Sequence, residues 1–125
     1  MSQANNTSNG YVFSITHFDK EPDRIAVPLA LANNALAMGE DVLIWLTLEA
    51  VKLATIDGSE GIQPKSFPAI TELLNTYKEN GGKIGVCPPC AKTYGVSDED
   101  LTENAEWMGA AALLTESQNR QSAWF

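Results

Sequence analysis

The chain contains two cysteines, and both lie in the segment Cys87-Pro88-Pro89-Cys90. An apolar stretch precedes this segment and a helical pattern follows it, so the thiols mark the turn from a strand into a helix. A cysteine at the start of a helix lies at the positive end of the helix dipole, which lowers a thiol pKa and raises its reactive fraction. The pair is therefore a candidate for attack on sulfur, for disulfide exchange or for half of a metal site.

The two prolines indicate how the thiols are placed. Cys87 is predicted to be the N-cap of the helix and Cys90 its third position. Pro88 suits the first helical position, where its fixed φ helps and its missing N–H costs little. Pro89 removes a second donor, so the N–H groups of Cys90 and Ala91 are left to face a thiolate on Cys87. The alternative is structural, because free cysteines are often small buried hydrophobes.

Length and composition bound the class of protein. The 125 residues, 44% hydrophobic and 19% charged, fit one compact domain. We expect residues 1–9 to be a flexible polar tail and residues 10–125 a single domain. There is no signal-peptide pattern and no apolar run of roughly 18 residues, so a cytoplasmic protein without a membrane partner is expected. In that compartment a Cys-x-x-Cys pair indicates redox or metal chemistry.

The charge of the chain argues against two classes of partner. Its formal net charge is −8, and its eight basic residues are scattered rather than clustered. Nucleic acid and anionic membrane surfaces carry negative charge that such a chain repels. We therefore expect neither as a partner.

The hydrophobic pattern alternates between strands and helices. Strands are predicted at residues 11–17, 41–47, 83–86, 105–108 and 122–125. Helices are predicted at residues 24–38, 49–54, 67–79, 91–94 and 111–118. The second strand is a continuous apolar run, which is typical of a strand buried on both faces of a parallel sheet. The pattern predicts a three-layer α/β/α domain with a mostly parallel sheet of about five strands.

Local signals predict details of these elements. Ser66 is expected to cap the helix of residues 67–79, and residues 97–100 look like a capping box. Pro28 is tolerable if the helix that contains it begins near Arg24. Trp45 is predicted to be core, whereas the two C-terminal tryptophans pack under the last helix or form a subunit contact.

Polar side chains follow three predicted strands at the edge where parallel sheets bind ligands. Four of them are candidates to line a site around the thiols, and these are His17, Thr47, Glu49 and Lys92. His17 is a candidate to orient or deprotonate a thiol, and Lys92 is a candidate to stabilise an anion. The alternative interpretation of His17 and Lys92 is that they are solvated side chains without a functional role.

Two blocks of sequence resemble the DsrE/DsrF-like family, which includes the DsrE, DsrF and TusD sulfur-relay subunits. The first is Pro28-Leu29-Ala30-Leu31-Ala32-Asn33-Asn34-Ala35-Leu36-Ala37-Met38-Gly39, followed by the buried strand. The second is Gly81-Gly82-Lys83-Ile84-Gly85-Val86-Cys87-Pro88-Pro89-Cys90-Ala91-Lys92-Thr93-Tyr94-Gly95-Val96. By this register Cys87 matches the sulfur-carrying cysteine of the family, with Gly95 eight residues further on. Cys90 is an addition that some of these proteins share.

The resemblance implies a parallel sheet, a homo-oligomer such as a trimer or hexamer, and a persulfide carried on Cys87. Sulfur donor and acceptor proteins are then the expected partners, and we expect no cofactor and no bound metal. The second thiol has a consequence of its own. A thiol beside a persulfide attacks it, releases sulfide and leaves a disulfide.

The leading hypothesis from the sequence is a sulfurtransferase or sulfur carrier with a persulfide on Cys87. Cys90 would then be a resolving or modulating thiol, and His17 and Thr47 would line the pocket. Three alternatives stay open. The first is a thiol–disulfide switch, and the second is a metal site that needs His17 and a symmetry-related copy of the pair. The third is a non-catalytic oligomeric binding or regulatory protein of the same fold.

Overall fold

The computed structural model describes residues 10–125, and the tail predicted for residues 1–9 lies outside the described residues. The sheet has five strands, all parallel, in the order β4-β3-β2-β1-β5. They are β1 (Gly10–Ile15), β2 (Asp41–Leu46), β3 (Lys83–Val86), β4 (Ala105–Trp107) and β5 (Gln121–Trp124). The predicted five-stranded parallel sheet is therefore confirmed.

Four α-helices and two 3-10 helices connect the strands. The α-helices are α1 (Pro22–Ala37), α2 (Ile70–Glu79), α3 (Pro88–Thr93) and α4 (Ala110–Ser117), and the 3-10 helices are Leu48–Ala54 and Asp98–Asp100. Strands β1 to β4 follow one another in chain order toward one edge of the sheet. The chain then returns through α4 and forms β5 at the opposite edge, beside β1. Because such connections are right-handed, α1 and α2 cover one face and α4 the other, which gives three layers. Among residues 10–125, no helix has the length and apolar character that crossing a membrane requires.

Strand β2 is the centre of the core, as its continuous apolar run predicts. From Val42 to Leu46 every side chain is 7% exposed or less. Successive side chains of a strand point to opposite faces, so both layers of helices pack on this strand. Leu43 lines the same cleft as Met108 and Ala112, which places it on the α4 face.

Trp45 fixes the α4 face of the sheet. It is 7% exposed, as expected of a core residue, and its indole N–H donates to the carbonyl oxygen of Met108 at 2.9 Å. Its ring meets that of Trp124 edge to face, with 5.9 Å between centroids. Ser14 is in register with both tryptophans, and its small side chain lets the two rings meet across β1. The ring of Trp124 is nevertheless 61% exposed.

Two predicted helix starts are wrong. Helix α2 begins at Ile70 after Ala69, and Ser66 does not cap it but donates its backbone N–H to Asp23 at 3.3 Å. The proline at position 68 explains this, because the residue before a proline is disfavoured in the α conformation. Helix α1 begins two residues early, at Pro22. Pro28 therefore lies in its second turn, where burial of the proline ring offsets the lost hydrogen bond.

The predicted capping box of residues 97–100 is confirmed. The backbone N–H and the hydroxyl of Ser97 both donate to the Asp100 carboxylate at 2.9 Å. These hydrogen bonds, the backbone one first, hold the pKa of Asp100 below its ordinary value. The short 3-10 helix Asp98–Asp100 is thereby held between α3 and β4.

We expect Gly85→Ala to destabilise the protein, because Gly85 leaves room for the tryptophan of β2. A Cβ at this position would lie 2.7 Å from the Met108 sulfur and 3.1 Å from Trp45 Cδ1. Overpacking of this kind lowers the free energy of unfolding by about 1–3 kcal/mol, measurable by urea denaturation.

Gly109→Ala is the matched control. Its φ of −78° suits alanine and nothing lies within 4 Å of the added methyl group. Its only expected cost is that of alanine at an N-cap, below about 1 kcal/mol. Equal losses in both variants would contradict the packing around Gly85.

Candidate functional site

The ends of β2 and β3 bring a hydroxyl and a thiol together at the carboxyl edge of the sheet. Leu46 is in register with Val86, and the backbone N–H of Cys87 donates to the Leu46 carbonyl oxygen at 3.0 Å. The parallel pairing thus continues one residue beyond the strand. Thr47, the next residue after β2, lies beside the turn that carries both cysteines.

Helix α3 places the two thiols as the proline pattern predicts. Cys87 is the N-cap, followed by prolines at the first two helical positions, and Cys90 is the third position. The backbone N–H of Ala91 donates to the Cys87 carbonyl oxygen at 3.0 Å and so closes the first turn. Both cysteines are free thiols; Cys87 is 9% exposed, whereas Cys90 is half-buried.

The sulfur of Cys90 has the more polar surroundings. The Thr47 hydroxyl lies 3.4 Å from it. Burial alone would raise the pKa of the Cys90 thiol. Hydrogen bonds from the Thr47 hydroxyl, the Leu48 backbone N–H and the Cys87 thiol outweigh this, and the pKa of Cys90 is lowered. The thiolate form is thus favoured by donors that come from the neighbouring strand end.

The turn after β2 has an uncommon backbone conformation. Leu48 has a φ of 54°, the one positive φ of a non-glycine residue among residues 10–125. This left-handed conformation is costly for a branched side chain, and such strain concentrates at functional sites. Here it occurs in the residue that directly follows Thr47, and the leucine side chain is 52% exposed.

His17 is at the same edge but is engaged elsewhere. Its Nε2 lies 3.4 Å from a Glu21 carboxylate oxygen, and its Nδ1 lies 3.2 Å from the Thr16 hydroxyl. The hydroxyl of Thr16 in turn donates to the carbonyl oxygen of Phe125 at 2.8 Å. The polar contacts of His17 therefore tie the end of β1 to α1 and to the chain beyond β5 rather than to a thiol.

Lys52, for which the sequence predicts no role, joins the 3-10 helix Leu48–Ala54 to Phe18 after β1 and to Tyr94 at the end of α3. The ammonium of Lys52 lies 5.4 Å from the centre of the Phe18 ring and 5.6 Å from that of Tyr94. It also pairs with Glu49 at 3.0 Å. The spacing of Glu49 and Lys52 is a sequence signal for this pair, but the two aromatic partners come from distant parts of the chain.

Two further observations at this edge concern Lys92 and metal binding. Lys92, a predicted pocket residue, is exposed and belongs to none of the ion pairs found among residues 10–125. Within the same range, no three His, Cys, Asp or Glu side chains are grouped so that they could hold a metal ion. The structure thus brings Cys87, Cys90 and Thr47 together, with Glu49 held by its own lysine.

The larger clefts lie at other places. One of about 520 Å³ lies between α2 and the connection from β3 to β4, and one of about 490 Å³ lies beneath α4. Neither is lined by a cysteine. The two cysteines thus lie outside both of these clefts.

The fold and the paired thiols define a small parallel α/β protein with a thiol site at the carboxyl edge of its sheet. Residues 10–122 match the DsrE/DsrF-like family, and the chain belongs to that family. The resemblance noted in the sequence is thereby confirmed.

Relatives of similar sequence are found in methanogenic archaea. An uncharacterized protein of Methanopyrus kandleri, MK0008, is 37% identical over 84 residues, which cover 67% of this chain and 66% of that protein. An uncharacterized protein of Methanocaldococcus jannaschii, MJ0989, is 34% identical over 92 residues, which cover 74% and 77%. The chain thus spans just under two thirds of the Methanopyrus protein.

Solved structures share the fold at low sequence identity. The ychN protein from E. coli superposes with a TM-score of 0.70 at 15% identity, over 95% of this chain and 100% of that one. A protein of unknown function from Methanobacterium thermoautotrophicum, MTH1491, gives a TM-score of 0.66 at 15% identity, over 93% and 98%. Identities this low support the fold alone.

We expect Lys52→Met to loosen the carboxyl edge, because it removes the charge that two aromatic rings and Glu49 share. Cation–π contacts and partly exposed ion pairs are individually weak, so a loss of about 1 kcal/mol in unfolding free energy is expected. Lys92→Met, on the exposed side of α3, should change stability by less than about 0.5 kcal/mol. Urea denaturation of both variants tests this, and indistinguishable losses would contradict the role of Lys52.

Proposed function

We propose that the protein is a sulfane-sulfur carrier that holds a persulfide on Cys87. The observation that supports this most strongly is the placement of two free thiols at a strand end, with Thr47 against the Cys90 sulfur. Membership of the DsrE/DsrF-like family, whose fold is of the sulfur-relay type, agrees with it. A cytoplasmic location, which the sequence predicts, suits such a carrier because thiols stay reduced there.

The carrier chemistry needs a nucleophilic sulfur and a leaving thiolate. A donor persulfide, R–S–SH, transfers its outer sulfur to a cysteine thiolate, and R–S⁻ leaves as the donor S–S bond breaks. The outcome is a cysteine persulfide with no net oxidation. Because Cys87 is only 9% exposed, a persulfide on it is shielded from most solutes. The donor and the acceptor are expected to be sulfur-relay proteins, as the family resemblance implies.

A thiol–disulfide function is the second candidate, and the proximity of the two thiols favours it. The two thiols lie at the N-cap and the third position of the same short helix, and the Cys87 side chain helps to lower the pKa of Cys90. If one thiol attacks the inner sulfur of a persulfide on the other, a Cys87–Cys90 disulfide forms and H₂S leaves. Loss of sulfide in this way would make the protein a persulfide reductase or a redox switch rather than a carrier.

We expect the wild-type protein to gain the mass of one sulfur atom when it is incubated with a persulfide donor and then desalted. Peptide mapping should locate the added sulfur on Cys87, because that side chain is the more shielded of the two. In Cys87→Ser most of the retained sulfur should be lost, since the remaining thiol lies open to reductants. Intact-mass measurement of both proteins checks this.

The same samples separate the two candidate functions. Release of sulfide with loss of both free thiols would favour the disulfide function, and a redox titration near the cytosolic glutathione potential would support it. Wild type that takes up no sulfur would contradict the carrier. So would a Cys87→Ser variant that retains as much sulfur as wild type.

We also propose that the protein is a homo-oligomer, a trimer or hexamer as the family resemblance implies. Strand β5 is an edge strand of the sheet, and the outer side of an edge strand presents unpaired backbone groups. Leu114 on α4 is 68% exposed and Trp124 on β5 is 61% exposed. A second copy of this chain would cover both the strand edge and these side chains.

Leu114→Glu should weaken this assembly, because a charge in an apolar contact is costly to bury. Light scattering should give a smaller mass for this variant than for wild type at equal concentration. Met38→Glu, at an equally exposed position after α1, should leave the mass unchanged. A wild-type monomer, or Leu114→Glu with the wild-type mass, would contradict the proposed interface.

A further inference from the structure

We infer that Cys90 is the thiol that attacks the incoming sulfur donor, that Thr47 is its positioning residue, and that Cys87 receives the sulfur from Cys90. This inference rests on the proposed function for its substrate. It adds an order of events. Cys90, the additional cysteine, reacts first, and Cys87, which matches the family position, reacts second.

Access to the two sulfurs differs. A sulfur transfer needs the attacking thiolate to approach along the donor S–S bond, so the donor must reach the sulfur from outside. Cys87 is 9% exposed and closes the end of β3, whereas Cys90 is half-buried one turn further along α3. A protein-borne persulfide therefore meets Cys90 first.

The hydrogen-bond donors also favour Cys90. The Thr47 hydroxyl lies 3.4 Å from this sulfur, and it and the Leu48 backbone both act to lower the pKa of Cys90. Helix α3 itself supplies little, because Pro88 and Pro89 have no N–H and that of Ala91 is bonded to the Cys87 carbonyl oxygen.

Charged groups on the neighbouring elements do not replace these donors. The 3-10 helix Leu48–Ala54 packs against α3 and carries Glu49 and Lys52, which pair with each other at 3.0 Å. On α3 the one charged side chain is Lys92, which is exposed. The other titratable group beside Cys90 is the Cys87 thiol. Thr47 is thus the side chain whose removal should change Cys90 most directly.

The two transfers balance in atoms and charge. In the first, the Cys90 thiolate attacks the outer sulfur of R–S–SH, a bond from Sγ to that sulfur forms, and R–S⁻ leaves. In the second, the Cys87 sulfur attacks the outer sulfur of the Cys90 persulfide. Cys87 then holds the persulfide, and Cys90 is left as a thiol after the proton of Cys87 has moved to it. Neither step changes the overall oxidation level.

The rate of alkylation by iodoacetamide as a function of pH tests the attacking thiol without any sulfur donor. In Cys87→Ser, where Cys90 is the single thiol, the rate should rise at a lower pH than in Cys90→Ser. Adding Thr47→Val to Cys87→Ser should slow alkylation at neutral pH by roughly three- to tenfold and move the profile to higher pH. Thr47→Ser in the same background keeps the hydroxyl and should restore the rate, which a merely structural role would not predict.

The initial rate of sulfur uptake from a persulfide donor completes the test. Cys90→Ser should load at least roughly tenfold more slowly than wild type, whereas Cys87→Ser should still load through Cys90 but retain little sulfur. Cys90→Ser that loads as fast as wild type would overturn this order of events and leave the carrier function standing. Rapid, Thr47-dependent alkylation of Cys90 without sulfur uptake by wild type would instead overturn the carrier function. An alkylation profile of Cys90 unchanged by Thr47→Val would overturn the role of Thr47.

Discussion

The parallel pairing of β2 with β3 is the constraint on which the thiol site depends. Its register carries the hydrogen-bond ladder past the last residues of the strands, through the Cys87 N–H to Leu46. Thr47 and Cys87 consequently leave the sheet side by side. A slip of one residue would turn every side chain of β3 to the other face. It would also move the thiols away from the only hydroxyl within hydrogen-bonding distance of Cys90 among the described residues.

The register is itself held by packing on the α4 face. Trp45 fits because Gly85 on one neighbouring strand has no side chain and Ser14 on the other has a small one. The indole N–H reaches the Met108 carbonyl and so fixes the end of β4 as well. Tyr77 holds the other side of the sheet, where its hydroxyl donates to the carbonyl oxygen of Lys83 at 2.6 Å. Burial raises the pKa of Tyr77, so its hydroxyl remains a proton donor throughout the ordinary pH range.

The Pro-Pro sequence changes what the start of a helix can do for a thiolate. A helix start normally offers several free N–H groups to an anion. Here two of the first positions are prolines, and the helix has only six residues. The groups that lower the pKa of Cys90 are therefore Thr47 and Leu48 at the adjacent strand end, together with the Cys87 thiol. The prolines thus leave it largely to the end of β2 to stabilise Cys90 as an anion.

The sequence predicts much of the fold because its strong signals are local. The apolar run of β2, the N-cap position of Cys87 and the Ser97 capping box are each decided by neighbours along the chain. Helix α2 begins later than the cap-like spacing of Ser66 predicts, because the proline at position 68 keeps the residue before it out of the α conformation. The contacts of Cys90 with Thr47 and of Lys52 with Phe18 and Tyr94 join residues far apart in sequence. Parallel pairing predicts that Thr47 lies near the thiols, but no local pattern encodes which thiol it contacts or which rings surround Lys52.

The depth of Cys87 explains why two thiols would serve a carrier better than one. A persulfide in a nearly closed position is protected from solutes, but the same closure excludes a bulky donor. In the proposed order of events, a second, more open thiol one helical turn away would separate the site of entry from the site of storage. Two thiols three residues apart can also form a disulfide, which competes with storage. A Cys90 persulfide could react with Cys87 in two ways. Attack on its outer sulfur would move that sulfur to Cys87 for storage, whereas attack on its inner sulfur would form the disulfide and release sulfide. In the proposed transfer the Thr47 hydroxyl would lie against the inner atom, Sγ of Cys90, and would stabilise it as a leaving thiolate when the outer sulfur moves to Cys87. On this proposal the contact that activates Cys90 for attack also favours storage over disulfide formation.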